Sequence, residues 1–270
     1  MDNLTRQIAD FAAELSYDQL PEEVIAAATR FLVDTLACAI AAHDCEPARM
    51  GLRLARGAAP DRYPGRILFH GARSTAESAA FVNTAMIRNL DFNDQYPGGH
   101  PSDCIGAFLA IAEAAKADGR RLLSSVAVAY ELFVRISDAT ALRYKGWDQG
   151  FAIGVCTAAG VGHLFRLSPQ QIGEAIAITT VANIPMRNTR AGELSLISDS
   201  ASRASSFIPP CPCCWEPACL CSYPGGSFPR LTFGSALLLP VSACSGRPAT
   251  GSRPATPHWQ QSSTALAPTT

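Results

Sequence analysis

Charge is scarce in this chain. Only 17% of its 270 residues are Asp, Glu, Lys or Arg, and 22 basic side chains face 23 acidic ones for a net charge of −1. Without a basic excess or a polybasic run, the sequence offers no footprint for nucleic acid or an anionic membrane surface. Long apolar runs are also lacking: polar residues interrupt each one short of the roughly 18–20 residues that a membrane span needs. The first residues, "MDNLTRQIADFAAEL", are amphipathic and carry acids, which is not the pattern of a secretory leader. These absences lead us to expect a soluble cytoplasmic protein with neither nucleic-acid nor membrane partners.

A second scarcity is regional. From Ser205 to Thr270 there is no Asp and no Lys, and the charged residues are Glu216, Arg230, Arg247 and Arg253. The same 66 residues hold eleven of the nineteen prolines and six of the ten cysteines. Proline at that density breaks helices and sheet ladders, so a largely irregular segment is expected. The other cysteines, Cys38, Cys45, Cys104 and Cys156, are scattered and read as small buried hydrophobes in a reducing compartment.

What the sequence does have is helical periodicity. Apolar residues make up 48% of the chain, enough for a sizeable core. Leu4 to Leu15 shows helical spacing. In "SYDQLPEEVIAAATRFLVDTLACAIAA", Pro21 suits a first turn, and Glu22 and Glu23 favour the positive end of the helix dipole. Ser74 and Glu77 have the spacing of a capping box. "SDCIGAFLAIAEAAKADG" starts a helix at Ser102 and offers Gly119 as its stop. "RLLSSVAVAYELFVRISDA", "FAIGVCTAAGVGHLFRL" and "SPQQIGEAIAITTVAN" follow, the last with Ser168 as cap and Pro169 at the first helical position. Only "GRILFHG" hints at an extended piece. The abundance of Ala and Gly predicts closely packed helices: an all-α bundle over residues 1–197, then a Pro/Ser/Cys-rich tail over 198–270.

One loop stands out. "LDFNDQYPGGHPSD" gathers Asp91, Asp94, His100 and Asp103 between two apolar helices. Helix capping accounts for Ser102 and Asp103, but it leaves the imidazole and the paired acids Asp91 and Asp94 unexplained, which makes the loop a candidate site. Elsewhere, His163 on its apolar helix reads as a satisfied core residue, and His43 and His70 as surface positions.

The stretch "FVNTAMIRNLDFNDQYPGGHPSDCIGAFLAIAEA", with "RFLVDTLACAIAA" upstream and "TRAGELS" at Thr189 to Ser195, resembles the MmgE/PrpD family. That family comprises iron-independent 2-methylcitrate dehydratases and relatives, cis-aconitate decarboxylase among them. The likeness runs from about Leu4 to Ser195. It implies a helical domain carrying half of an active site, a small tricarboxylate substrate, a place in propionate metabolism, no metal or organic cofactor, and a possible homodimer. Dehydration and decarboxylation both pass through carbanion-like species beside a carboxylate, so both need an acid/base pair and clamps on carboxylates.

Carried across by resemblance, the catalytic positions are Asp91 and His100, and the substrate-binding positions are Gln95 and Arg190. His100 would donate to a departing hydroxyl or hold a carboxylate. Asp91 would orient that imidazole or act as base. Near "YKGWDQG", where some relatives carry a site histidine, this chain has Trp147 or Gln149, which weighs against the decarboxylase reading.

In the family, "GELS" continues into a helix and then a second domain. Here it runs into "LISDSASRASSFIPPCPCCWEPACLCSYPGG", whose composition is that of a GC-rich gene read out of frame. Loss of the frame after Ser195 is the favoured expectation, and it would leave an incomplete, inactive chain. The rival readings are a non-catalytic remnant and a cysteine-rich metal-binding protein. "CPCCWEPACLC" places five cysteines in eleven residues, a density that suits zinc or copper(I). It lacks the second spaced pair of a zinc ribbon, and His258 is the nearby histidine.

Overall fold

Apolar faces at helical spacing need partners, and the computed structural model shows how they find them. It describes residues 1–58, 62–183 and 185–187. The tail and Arg190 therefore lie outside the described residues. The helices are α1 (Asn3–Glu14), α2 (Glu22–Ala41), α3 (Glu46–Arg56), α4 (Ala76–Arg88), α5 (Asp103–Ile111), α6 (Gly119–Thr140), α7 (Gly150–Leu164) and α8 (Pro169–Asn183). A two-stranded antiparallel hairpin, β1 (Pro64–Arg66) and β2 (Arg73–Thr75), stands between α3 and α4. The expected all-α bundle is the observed architecture, with this small hairpin where "GRILFHG" hinted at extension.

Three helices form the centre. α4, α5 and α7 are apolar or small-residue on nearly every face and are buried on nearly every face. α4 packs on α2, α3 and α5, and α7 packs on α5, α6 and α8, with α1 closing against α7 and α8. Small residues set the close approach: a Cβ on Gly106 of α5 would lie 2.1 Å from Thr84 Oγ1 of α4. Thr84 Oγ1 instead donates to the Asp103 carbonyl at 3.1 Å, binding α4 to the start of α5. Asn83, also buried in α4, accepts from Leu68 N–H at 2.9 Å and donates to the Arg66 carbonyl at 3.0 Å. The asparagine of the family-like stretch is thus the peg that fixes the hairpin to the core. Outside, Glu113 pairs with Arg66 at 2.6 Å and Arg73 at 2.9 Å, closing the hairpin over the end of α5.

Several local expectations are corrected. Ser74 does not cap α4. It sits in β2 and donates to the Ala55 carbonyl at 2.8 Å, while Thr75 caps by accepting from Ser78 N–H at 3.3 Å. Gly119 does not end α5, which stops at Ile111; it begins α6, whose cap is Asp118. A turn with Lys116 at φ 51° replaces the expected helical continuation. α2 is long and apolar enough, by length and composition, to cross a membrane; in this fold it packs on α4 and α6.

Other expectations hold. Ser168 and Gln171 cap α8 reciprocally, with Pro169 at the first position. His163 is fully buried, its Nδ1 2.7 Å from the Ala12 carbonyl and its Nε2 2.7 Å from Ser124 Oγ. Burial pushes its pKa down to about 4. Cys38, Cys104 and Cys156 are buried thiols and Cys45 is half-buried, all unbridged. His43 is exposed, whereas His70 is half-buried, with Nε2 3.0 Å from the His43 carbonyl.

Candidate functional site

The loop from Asn89 to Ser102 joins the C-terminal end of α4 to the N-terminal end of α5. Its geometry begins with a turn. Tyr96 and Gly99 exchange both backbone hydrogen bonds at 2.9 Å around Pro97 and Gly98, and Gly98 takes φ 118°, a conformation that glycine allows. The chain then passes His100 into the first turn of α5, where the His100 carbonyl accepts from Asp103 N–H at 3.1 Å.

His100 is held from two sides. Its Nδ1 lies 2.6 Å from the Asp94 carbonyl oxygen, and its backbone N–H donates to Gln149 Oε1 at 3.0 Å. A carbonyl can only accept, so Nδ1 carries the proton and Nε2 presents a lone pair. Nε2 lies 3.6 Å from Asp91 Oδ1. Burial is the main cause that lowers the His100 pKa below its usual 6.5, followed by the Arg88 cation; the Asp94 carbonyl and the Asp91 and Asp94 carboxylates act the other way. The imidazole is therefore predominantly neutral at neutral pH, a state suited to taking a proton at Nε2 rather than to holding an anion by charge.

Asp91, in the left-handed region at φ 58°, is mostly exposed and paired with Arg88. Its contact with His100 is to Nε2, so the group that orients the ring is the Asp94 carbonyl and not Asp91. Asp94 is a half-buried acid of the loop. Its carboxylate accepts from the Ser102 N–H at 3.1 Å and from the Ser102 hydroxyl. Desolvation raises its pKa above the ordinary 3.8, and the hydrogen bonds from Ser102 offset part of that rise. Ser102, expected to cap α5, spends its hydroxyl on Asp94 and makes no side-chain cap. Asn93 completes the arrangement, donating to Ser102 Oγ at 2.8 Å and to Asp103 Oδ1 at 3.0 Å.

Two residues that the sequence did not single out belong here. Arg88, buried in the last turn of α4, pairs with Asp91 and lies 3.9 Å, Nε to Oδ2, from Asp103. Its spacing of three residues before Asp91 was the available signal. Tyr130 of α6 turns its hydroxyl toward the Asp94 carboxyl, short of a formed hydrogen bond, and burial there drives the phenol well above its usual range. Its ring stacks on Phe31 at 4.5 Å between centroids. Of the residues carried across by resemblance, Asp91 and His100 meet, Gln95 is exposed on the same loop, and Arg190 lies outside the described residues. The cysteines from Cys211 to Cys221 and His258 lie outside them too. Among the described residues, no group of three or more His, Cys, Asp or Glu side chains is placed to hold a metal ion.

Comparison with known proteins places the domain that carries this loop in a family. The family model of the MmgE/PrpD N-terminal domain matches residues 6–206. The chain is 31% identical over 147 residues to a 2-methylcitrate dehydratase of Salmonella typhi, covering 47% of this chain and 30% of that protein. It is 32% identical over 147 residues to the 2-methylcitrate dehydratase of Cupriavidus necator, with the same coverage. It is 23% identical over 190 residues to the cis-aconitate decarboxylase-like protein oryM of Aspergillus oryzae, covering 65% of this chain and 39% of that protein. The match thus spans between 30% and 39% of the length of these relatives. The match to the N-terminal domain covers well over half of this chain, and the chain belongs to the MmgE/PrpD family.

Proposed function

We propose that the α4–α5 loop is one wall of an active site for cofactor-independent dehydration of a small tricarboxylic acid, as in the 2-methylcitrate dehydratases that the chain resembles. The observation that carries this reading is the fixed tautomer of His100, with Nδ1–H tied to a backbone carbonyl and Nε2 open beside Asp91. In the reaction, a base removes a proton from the carbon next to a carboxylate, a carbon–carbon double bond forms, and the neighbouring hydroxyl leaves with a proton as water. His100 Nε2 is the proton acceptor. The imidazolium so formed is stabilised by Asp91, and Nε2–H then donates its proton to the departing hydroxyl, which leaves as water and returns His100 to its neutral form. Gln95 and Arg190 hold substrate carboxylates. No metal is required, and the setting is cytoplasmic, with a homodimer as the assembled state.

The loop carries Asp91, Asp94 and Asp103 toward a trianionic substrate. Arg88 offsets part of that charge from within this domain, but it is already engaged by Asp91 and Asp103. Further cations must come from elsewhere for tight binding. We therefore expect little or no turnover of 2-methylcitrate by the 270-residue chain. Restoring the frame after Ser195, so that the product approaches the length of its relatives, should give metal-independent turnover. In that longer protein, His100→Ala lowers kcat by about 10²–10⁴-fold. Near-normal turnover by His100→Ala would remove His100 from the mechanism, and robust turnover by the 270-residue chain would show that this wall suffices alone.

A further inference from the structure

We infer that Gln149, at the start of α7, is the positioning residue that holds His100 in one tautomer; the inference rests on the reading of His100 as the proton-transfer group. Gln149 is buried, and its Oε1 accepts the His100 backbone N–H at 3.0 Å across 49 residues of sequence. The fit is tight. A Cβ at Gly99 would lie 2.0 Å from Gln149 Oε1 and 2.7 Å from Gln149 Cβ, so the amide lies flat against a backbone that only glycine leaves open.

The need for such a clamp follows from the loop itself. Gly98 and Gly99 immediately precede His100, and glycine backbone is the costliest to immobilise. The Tyr96–Gly99 bonds close the turn but stop one residue short of the histidine. On the far side, the His100 carbonyl is fixed by the first turn of α5. The His100 N–H is the remaining backbone handle, and Gln149 takes it. Fixing that peptide places Nδ1 at 2.6 Å from the Asp94 carbonyl, and the Nδ1 bond in turn directs the Nε2 lone pair toward Asp91. Gln149 touches neither ring nitrogen; it acts through the peptide. Its own place is set by α7, whose start is fixed by Asp148 Oδ1 accepting from Gly150 N–H at 3.0 Å and by Asp148 N–H donating to the Pro185 carbonyl at 3.1 Å.

The test is the titration of the His100 imidazole in the full chain, followed through its ring nitrogens by NMR in Gln149→Leu, which keeps the bulk and loses the acceptor. Gln149→Glu keeps an acceptor at the same reach. Gly99→Ala pushes the amide away from the opposite side. We expect Gln149→Leu and Gly99→Ala to replace the single Nδ1–H tautomer with a mixture. Gln149→Glu should retain the Nδ1–H tautomer. An unchanged tautomer in both Gln149→Leu and Gly99→Ala, with the His163 signal showing the core intact, would overturn the assignment. Because the readout needs no substrate, failure of the dehydratase reading leaves it untouched: wild-type inactivity on tricarboxylates with a tautomer shift in Gln149→Leu condemns the chemistry and supports the clamp.

Discussion

Arg88 in the last turn of α4 and Asp103 in the first turn of α5 face each other 3.9 Å apart, both almost fully buried, beneath the loop that carries His100. The pair ties together the two ends from which the loop springs. Arg88 also reaches outward to Asp91, so one guanidinium links the buried base of the site to its exposed rim. Each helix end gains as well, with a cation at a C-terminus and a carboxylate at an N-terminus.

Removing Arg88 should therefore cost more than a surface ion pair would. In Arg88→Met, Asp103 stays buried without its cation, and a loss of about 3–5 kcal/mol is expected in urea unfolding. Adding Asp103→Asn should recover a large part of that loss, because the neutral amide needs no counter-ion. The His100 midpoint should rise in Arg88→Met, since the Arg88 cation is one cause of its depression. Additive losses in the double variant would show that the two side chains do not couple.

Asp94 makes a pH signature of opposite sign to that of an ordinary ion-paired acid. Its pKa is raised on folding, so between about 3.8 and its folded value the native state binds more protons than the unfolded one. Stability contributed at this position therefore falls as pH rises through that window. Asp94→Asn keeps an acceptor for Ser102 and removes the titration. The stability difference between variant and wild type should grow in the variant's favour from pH 4 to pH 7; a pH-independent difference would contradict the burial argument.

His163 works in the other direction. Its folded pKa of about 4 lies below the ordinary 6.5, so the unfolded chain takes up the proton first as pH falls. Stability is full above pH 6.5 and is lost progressively down to about pH 4, by about 3 kcal/mol in all. His163→Gln, which can still meet Ser124, should flatten the acid limb of the unfolding curve while costing stability at pH 7. An unchanged acid limb would place the responsible group elsewhere.

Gly99→Ala tests packing as well as positioning. With Gln149 in place, the added methyl overlaps the amide, and a loss of about 1–3 kcal/mol is expected. In a Gln149→Gly background the side-chain atoms that the methyl would meet, the Cβ included, are gone, and the same substitution should cost much less. Equal costs in the two backgrounds would mean that the methyl meets something other than Gln149.

Much of the fold was legible beforehand because helices announce themselves locally. Ser168–Pro169 and the apolar periodicity of α6 and α7 read correctly from neighbours a few residues apart. The failures were also local. Ser74 and Thr75 offer the same hydroxyl for capping α4, and the choice between them was made by the Ala55 carbonyl, nineteen residues upstream. At Gly119 a stop signal and a start position look alike until the turn at Lys116 separates them.

The sequence by itself determined that a charge-poor, apolar chain would form helices, and that one short loop would collect an imidazole and carboxylates. Only the tertiary structure decided what those groups do to one another. His100 takes its tautomer from a carbonyl six residues back and its backbone anchor from Gln149, forty-nine residues on. Asp94 is an acid that burial perturbs, with Ser102 and Tyr130 of α6 beside its carboxyl. Periodicity and capping act through the backbone over three or four residues. Protonation state depends on desolvation and on charges across space, and those are fixed only when α4, α5, α6 and α7 have packed.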